Sequence, residues 1–119
     1  MKFKVTNAEA ISTGGGVYVY CGTIEGGQHF IACDDGNWVL LTNDPTMTNE
    51  LDDDAWNTMW YPEWMEEHAT YCTESESEAD EWMMQIYQYI INRQPDGNYL
   101  VGEIKYRRDA LKDEMDARR

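Results

Sequence analysis

Apolar residues run or alternate in three short segments near the N-terminus, 17–25 (VYVYCGTIE), 28–33 (QHFIAC) and 37–42 (NWVLLT). Their length and their β-branched and aromatic content predict three strands. Gly26-Gly27 and Asp35-Gly36 separate them and fit two-residue hairpin loops, whose primed turns need positive φ. Those loops set a register. Tyr20, Gly22, Ile31, Cys33, Trp38 and Leu40 fall on one face; Cys21, Thr23, Phe30, Ala32, Val39 and Leu41 fall on the other. The second face is the more uniformly apolar and is the expected core side. Residues 2–7 (KFKVTN) can add a fourth strand, joined through the flexible stretch 12–16 (STGGG).

Asp44-Pro45 closes the strand region, and the period changes. Leu51, Ala55, Met59 and either Trp56 or Trp60 suit the inner side of a short helix capped by Asn49. Pro62 starts a new helix rather than continuing the first. Trp64, Met65, His68 and Cys72 follow at helical spacing. The strongest helix begins in 73–84 (TESESEADEWMM). Ser75 and Glu78 form a capping box, and Ala79, Trp82, Met83, Ile86 and Ile90 make a buried stripe. Pro95-Asp96-Gly97 ends it. Residues 99–119 read as a final helix lined by Ile104, Leu111 and Met115, with i,i+4 pairs Glu103–Arg107 and Lys105–Asp109. Its opening, NYLVGEIKY, can alternatively be a strand. The expected fold is α+β: an antiparallel sheet of three to four strands in an N-terminal meander, packed against two to four helices. It forms one domain over 1–119, with a meander at 1–43, an acidic helical region at 44–97 and a mixed-charge segment at 98–119.

Charge changes this picture more than composition does. The net charge is −14, and residues 5–92 hold 17 Asp and Glu but no Lys or Arg. An average domain would place roughly ten Lys or Arg in such a stretch. After Asn98 six basic residues face five acidic ones. Capping accounts for part of the acidity at 74–81, because carboxylates favour a helix N-terminus. It does not account for Asp52, Asp53, Asp54, Glu63, Glu66 and Glu67, which lack cationic neighbours. From Asp44 to Glu81 there are 13 carboxylates in 38 residues. On one straight helix that is about one charge per 4.4 Å, near the one per about 3.4 Å of a DNA strand. Like charges at i,i+4 cost about 0.2–0.5 kcal/mol per pair, and interspersed Lys would relieve this. The absence of Lys implies that the field is used to meet a basic partner.

Catalytic and metal chemistry find little support. Asp52-Asp53-Asp54 lacks the alternating ligands and central glycine of a calcium loop. His68 and Cys72, one helical turn apart, would need two more zinc ligands, and Cys21, Cys33 and His29 show no ligand spacing. No nucleophile motif surrounds any His or Cys, and Gly14-Gly15-Gly16 lacks the Lys-Ser/Thr ending of a phosphate loop. No enzyme activity, metal or cofactor is expected. Trp56, Trp60 and Trp64, at i,i+4 steps, close helices onto the sheet more readily than they form a recognition surface. Direct nucleic-acid binding is disfavoured, since phosphates would be repelled. No run of about 18 apolar residues predicts a membrane span. The N-terminus lacks an apolar signal core, so a cytoplasmic location is expected. Three cysteines, an odd number with Cys21 and Cys33 on opposite predicted faces, argue for free thiols.

The basic-free interval 5–92, the clusters at 52–54 and 74–81 and the aromatic packing beneath them resemble the small acidic DNA-mimic inhibitors of phages and mobile elements, the anti-restriction and anti-CRISPR proteins. The resemblance lies in character, not in an aligned motif. It implies an inhibitor that occupies a basic, nucleic-acid-binding surface of a partner such as a nuclease. Asp52, Asp53, Asp54, Glu63, Glu66, Glu67, Glu74, Glu76, Asp80 and Glu81 would then stand in for phosphates. The basic C-terminal segment departs from a uniformly acidic mimic and is expected to pack against the acidic body. An acidic adaptor domain with a different basic partner remains the alternative. Adaptation to a salt-rich host would act along the whole chain, and 98–119 escapes it.

Overall fold

A computed structural model describes residues 3–12, 18–43, 67–93 and 99–118. They form an α+β fold. Five strands, β1 (Val5–Ser12), β2 (Tyr18–Ile24), β3 (His29–Cys33), β4 (Trp38–Thr42) and β5 (Ala69–Cys72), make one sheet in sequence order with every neighbouring pair antiparallel. Two helices follow, α1 (Glu76–Arg93) and α2 (Tyr99–Ala117). Helix α1 lies against the sheet between β1 and β4, and α2 packs along α1.

The core sits between sheet and helices. Tyr20, Ile24, Phe30, Ala32, Val39 and Leu41 project from the strands onto Trp82, Met83, Ile86 and Ile90 of α1, with Ile104 and Leu111 of α2 completing the cluster. Phe3 stacks on Trp82, centroids 4.3 Å apart and planes 5° apart, and meets Phe30 edge-on. The predicted α1 stripe is buried as expected, with Tyr87 added. The described part of NYLVGEIKY, residues 99–106, is helical, so the helical reading holds there and the strand alternative falls. Residues opposite the helices form a second cluster of Val19, Ile31 and Leu40, flanked by Trp38, Ala69 and Cys72.

Strands β3 and β4 have the predicted faces, because Cys33 does pair with Trp38. Strand β2 is turned over. Ile24 N–H donates to Gln28 O at 3.0 Å and Gly27 N–H to Ile24 O at 3.1 Å, so the loop is Glu25-Gly26-Gly27, one residue longer than expected. Gly26 and Gly27 adopt φ of 102° and 95°, which side-chain-bearing residues rarely reach. The extra residue moves the register by one, to Tyr20↔Ala32 and Cys21↔Ile31, and a one-residue shift exchanges the faces of the whole strand. Two contacts reinforce this choice. Glu25 N–H donates to Lys4 O at 2.8 Å. Gly22, now toward the helices, lets β1 approach so closely that an added Cβ would lie 1.9 Å from Asn7 O. Cys21 and Cys33 consequently share the face away from the helices, contrary to expectation; both are free thiols.

Two further elements differ from expectation. Strand β1 runs beyond the expected 2–7, through residues 8–12, and so takes in Ser12 of the expected linker; Ala8 and Ala10 pack on the main cluster. Residues 69–72 are strand rather than the continuation of a helix from Pro62. Leu41↔Tyr71 and Leu40↔Cys72 give β4 a second partner, and Tyr71 joins the helix-side cluster. Pairing removes an otherwise open edge beside β4, which outweighs the helical spacing of His68 and Cys72. The expected helices on 49–66 lie outside the described residues.

Candidate functional site

The acidic start of α1 combines structural and free carboxylates. Ser75 Oγ accepts the Glu78 N–H at 3.1 Å, and Ala79 N–H donates to Ser75 O, so Ser75 is the N-cap. Glu78 Oε1 reaches back to the Glu74 N–H at 3.1 Å and accepts the Tyr71 hydroxyl at 2.5 Å. That hydrogen bond, followed by burial, pushes the Tyr71 hydroxyl up to about 12. Glu78 thereby fastens α1 to β5. Glu74 and Glu81 stand exposed, and no ion pair among the described residues includes either side chain. Exposed Glu67 lies within ion-pair distance of His68, at 3.9 Å.

Asp80 departs from its expected role. Its side chain is 3% exposed, accepts Asn37 Nδ2–H at 2.8 Å and is paired with Arg118 Nη2. Burial and a paired cation make it an internal anchor for the end of α2 rather than a surface charge. Arg118 Nη1 also pairs with Glu76 Oε1 at 2.8 Å. Of the ten carboxylates expected to meet a partner, the structure gathers Glu74, Glu76 and Glu81 on the surface at the N-terminal end of α1, leaves Glu67 exposed before β5, and takes Asp80 inside. Asp52, Asp53, Asp54, Glu63 and Glu66 lie outside the described residues.

A second charged centre had no sequence signal. Asp34, in the β3–β4 loop, is 5% exposed, and its Oδ2 accepts Tyr20 OH at 2.7 Å, Tyr87 OH at 3.2 Å and Arg107 Nη1–H at 2.8 Å. Burial first, then the negative charges around them, push both tyrosine hydroxyls far above their usual range. The Arg107 guanidinium also lies 4.8 Å from the Tyr18 ring centroid. Residues 34 and 107 are 73 positions apart, so only the three-dimensional fold could bring them together; in sequence Asp34 reads as a turn residue and Arg107 as an i,i+4 partner of Glu103. That local pair exists too, at 4.0 Å. Asp109, expected to meet Lys105, instead pairs with Arg108 at 3.1 Å.

Between the β3–β4 loop, α1 and α2 opens a cleft of about 530 Å³, within the size range of ligand sites. Asp34, Arg107, Tyr87 and Leu111 line it, while Glu76, Glu103, Tyr106 and Glu114 contribute more accessible groups. Among the described residues no group of three or more His, Cys, Asp or Glu is placed to hold a metal ion. None of the described helices is long and apolar enough to cross a membrane. Searches of protein families, curated proteins and solved structures return no match to this chain.

Proposed function

We propose that this protein is a non-enzymatic acidic inhibitor that occupies the basic, nucleic-acid-binding surface of a partner such as a nuclease. The observation supporting this reading is where two of the C-terminal cations go. Arg107 is aimed at Asp34 and Arg118 at Asp80, both almost fully buried, although Arg118 also pairs with exposed Glu76 at 2.8 Å. Each of these pairs is neutral, so the net charge of −14 resides on the rest of the molecule. Glu74 and Glu81 add exposed charge at the start of α1, where exposed carboxylates are cheap to maintain. Such a field speeds encounter with a cationic groove and repels nucleic acid itself.

The test is competition. The purified protein is added to a gel-shift panel of restriction and RNA-guided nucleases bound to DNA, at 50 and 200 mM NaCl. A mimic should displace DNA at low salt and lose at least about tenfold in potency at the higher, because matched charges are screened. Displacement that ignores salt, or none across the panel, removes the mimic reading and favours an adaptor with another basic partner.

A further inference from the structure

Helix α2 exposes two aromatic side chains, Tyr99 at 78% and Tyr106 at 75%. They are seven residues apart, so they share a helix face with Glu103, Ala110 and Glu114. Tyr99 OH donates to Glu103 Oε1 at 3.3 Å, which holds that carboxylate in place. Glu103, Tyr106, Ala110 and Glu114 form one wall of the 530 Å³ cleft, and Glu76 and Asp80 stand on the wall from α1. Among the described residues, five carboxylates and one guanidinium line the space. That guanidinium, Arg107, is drawn to Asp34 at 2.8 Å, and Arg118 is taken up by Glu76 and Asp80.

These charges select the occupant. An anion would meet an excess of carboxylates, and an uncharged apolar group would strip water from them without replacing it. A cation on an aliphatic stem satisfies both halves of the cleft. Its head meets Glu103 and Glu114 and lies against the Tyr106 ring, and its stem runs along Ala110 and Leu111.

We infer that this cleft is a socket for an arginine or lysine side chain projecting from a protein partner. The inference rests on the reading of a basic partner and gives that partner a point of attachment on α2, in addition to the carboxylates Glu74 and Glu81.

The experiment measures binding of an acetylated, amidated hexa-arginine peptide by titration calorimetry at 150 mM NaCl, for wild type and three variants. Tyr106→Ala removes the ring without changing charge. Glu114→Gln removes a charge inside the cleft, and Asp113→Asn removes one from the adjacent position outside it. Tyr106→Ala and Glu114→Gln should each weaken binding about threefold or more, and Asp113→Asn less than about twofold. Equal effects of Glu114→Gln and Asp113→Asn, with none from Tyr106→Ala, would overturn the socket and attribute peptide binding to the general field. That result leaves the mimic reading standing, because the nuclease competition tests it separately. Melting curves check folding; if Tyr106→Ala unfolds, the contrast between the two charge-neutralising variants still decides.

Discussion

The Asp34–Arg107 contact can be tested for its role in holding α2. Replacing Arg107 with Met keeps most of the side-chain stem and removes the charge. Asp34 then remains 5% exposed and, among the described residues, keeps the hydroxyls of Tyr20 and Tyr87 as hydrogen-bond donors. Breaking a buried pair from one side costs about 3–5 kcal/mol. Two remaining hydrogen bonds and the 22% exposure of Arg107, which lets water reach the site, reduce this toward about 3 kcal/mol. Asp34→Asn leaves a partly hydrated guanidinium and a weaker acceptor, at about 2–3 kcal/mol. The double variant has no uncompensated charge. It should cost about 3 kcal/mol rather than the sum, a coupling of about 2 kcal/mol. At roughly 0.25 kcal/mol/K of unfolding entropy for this length, each single variant should melt about 8–12 °C below wild type. Urea unfolding of the four proteins supplies the cycle. Additive losses, with coupling below about 0.5 kcal/mol, would show that the pair does not secure α2 and that the helix is held by its other contacts, the buried Val101, Ile104 and Leu111 and the Arg118–Asp80 pair.

Three other outcomes follow from local geometry. Burial raises the Cys21 and Cys33 thiols from 9.0 to about 11, and burial raises Tyr20 and Tyr87 above 10.0. For raised pKa values the stabilisation is complete below the unfolded value and is lost as pH climbs toward the folded one; urea midpoints should therefore stay level to about pH 8.5 and fall between 9 and 11, and a flat profile to pH 10.5 would contradict this burial. Gly22→Ala must force β1 and β2 apart, because its methyl would overlap Asn7 O at 1.9 Å; a loss of about 2 kcal/mol or more is expected, and an unchanged midpoint would mean that the strands separate freely. Ser75→Ala should cost about 1 kcal/mol through the lost N-cap, whereas neutralising Glu74 or Glu81 to Gln should leave the melting temperature within about 2 °C and weaken nuclease competition; a sharp melting loss in either glutamate variant would make it a structural group.

Much of the architecture could be read from neighbours along the chain. The α1 stripe, its Ser75 cap, the helical end of the molecule and the faces of β3 and β4 depend on spacings of two, three or four residues, and short-range physics suffices there. The β3–β4 loop has its predicted register because its expected length is right. The loop after β2 does not. Two adjacent glycines are compatible with two- and three-residue turns alike, and the choice fell to contacts made elsewhere: the Lys4 carbonyl, the space beside Gly22 and the buried place of Tyr20.

The site divides in the same way. That the protein is strongly anionic, and that its cations lie only at 2–4 and 93–119, follows from residue counts alone. Whether a given carboxylate faces water depends on partners far away in sequence. Asp80 looks like its neighbours Glu78 and Glu81 in the chain, yet Arg118, 38 positions on, makes it an internal anchor. Asp34 and Arg107 show the same dependence across 73 positions. A charge is tolerated in the interior only where a counter-charge and hydrogen-bond donors are assembled around it. Assembling them is an act of the complete fold, and no local pattern can announce it.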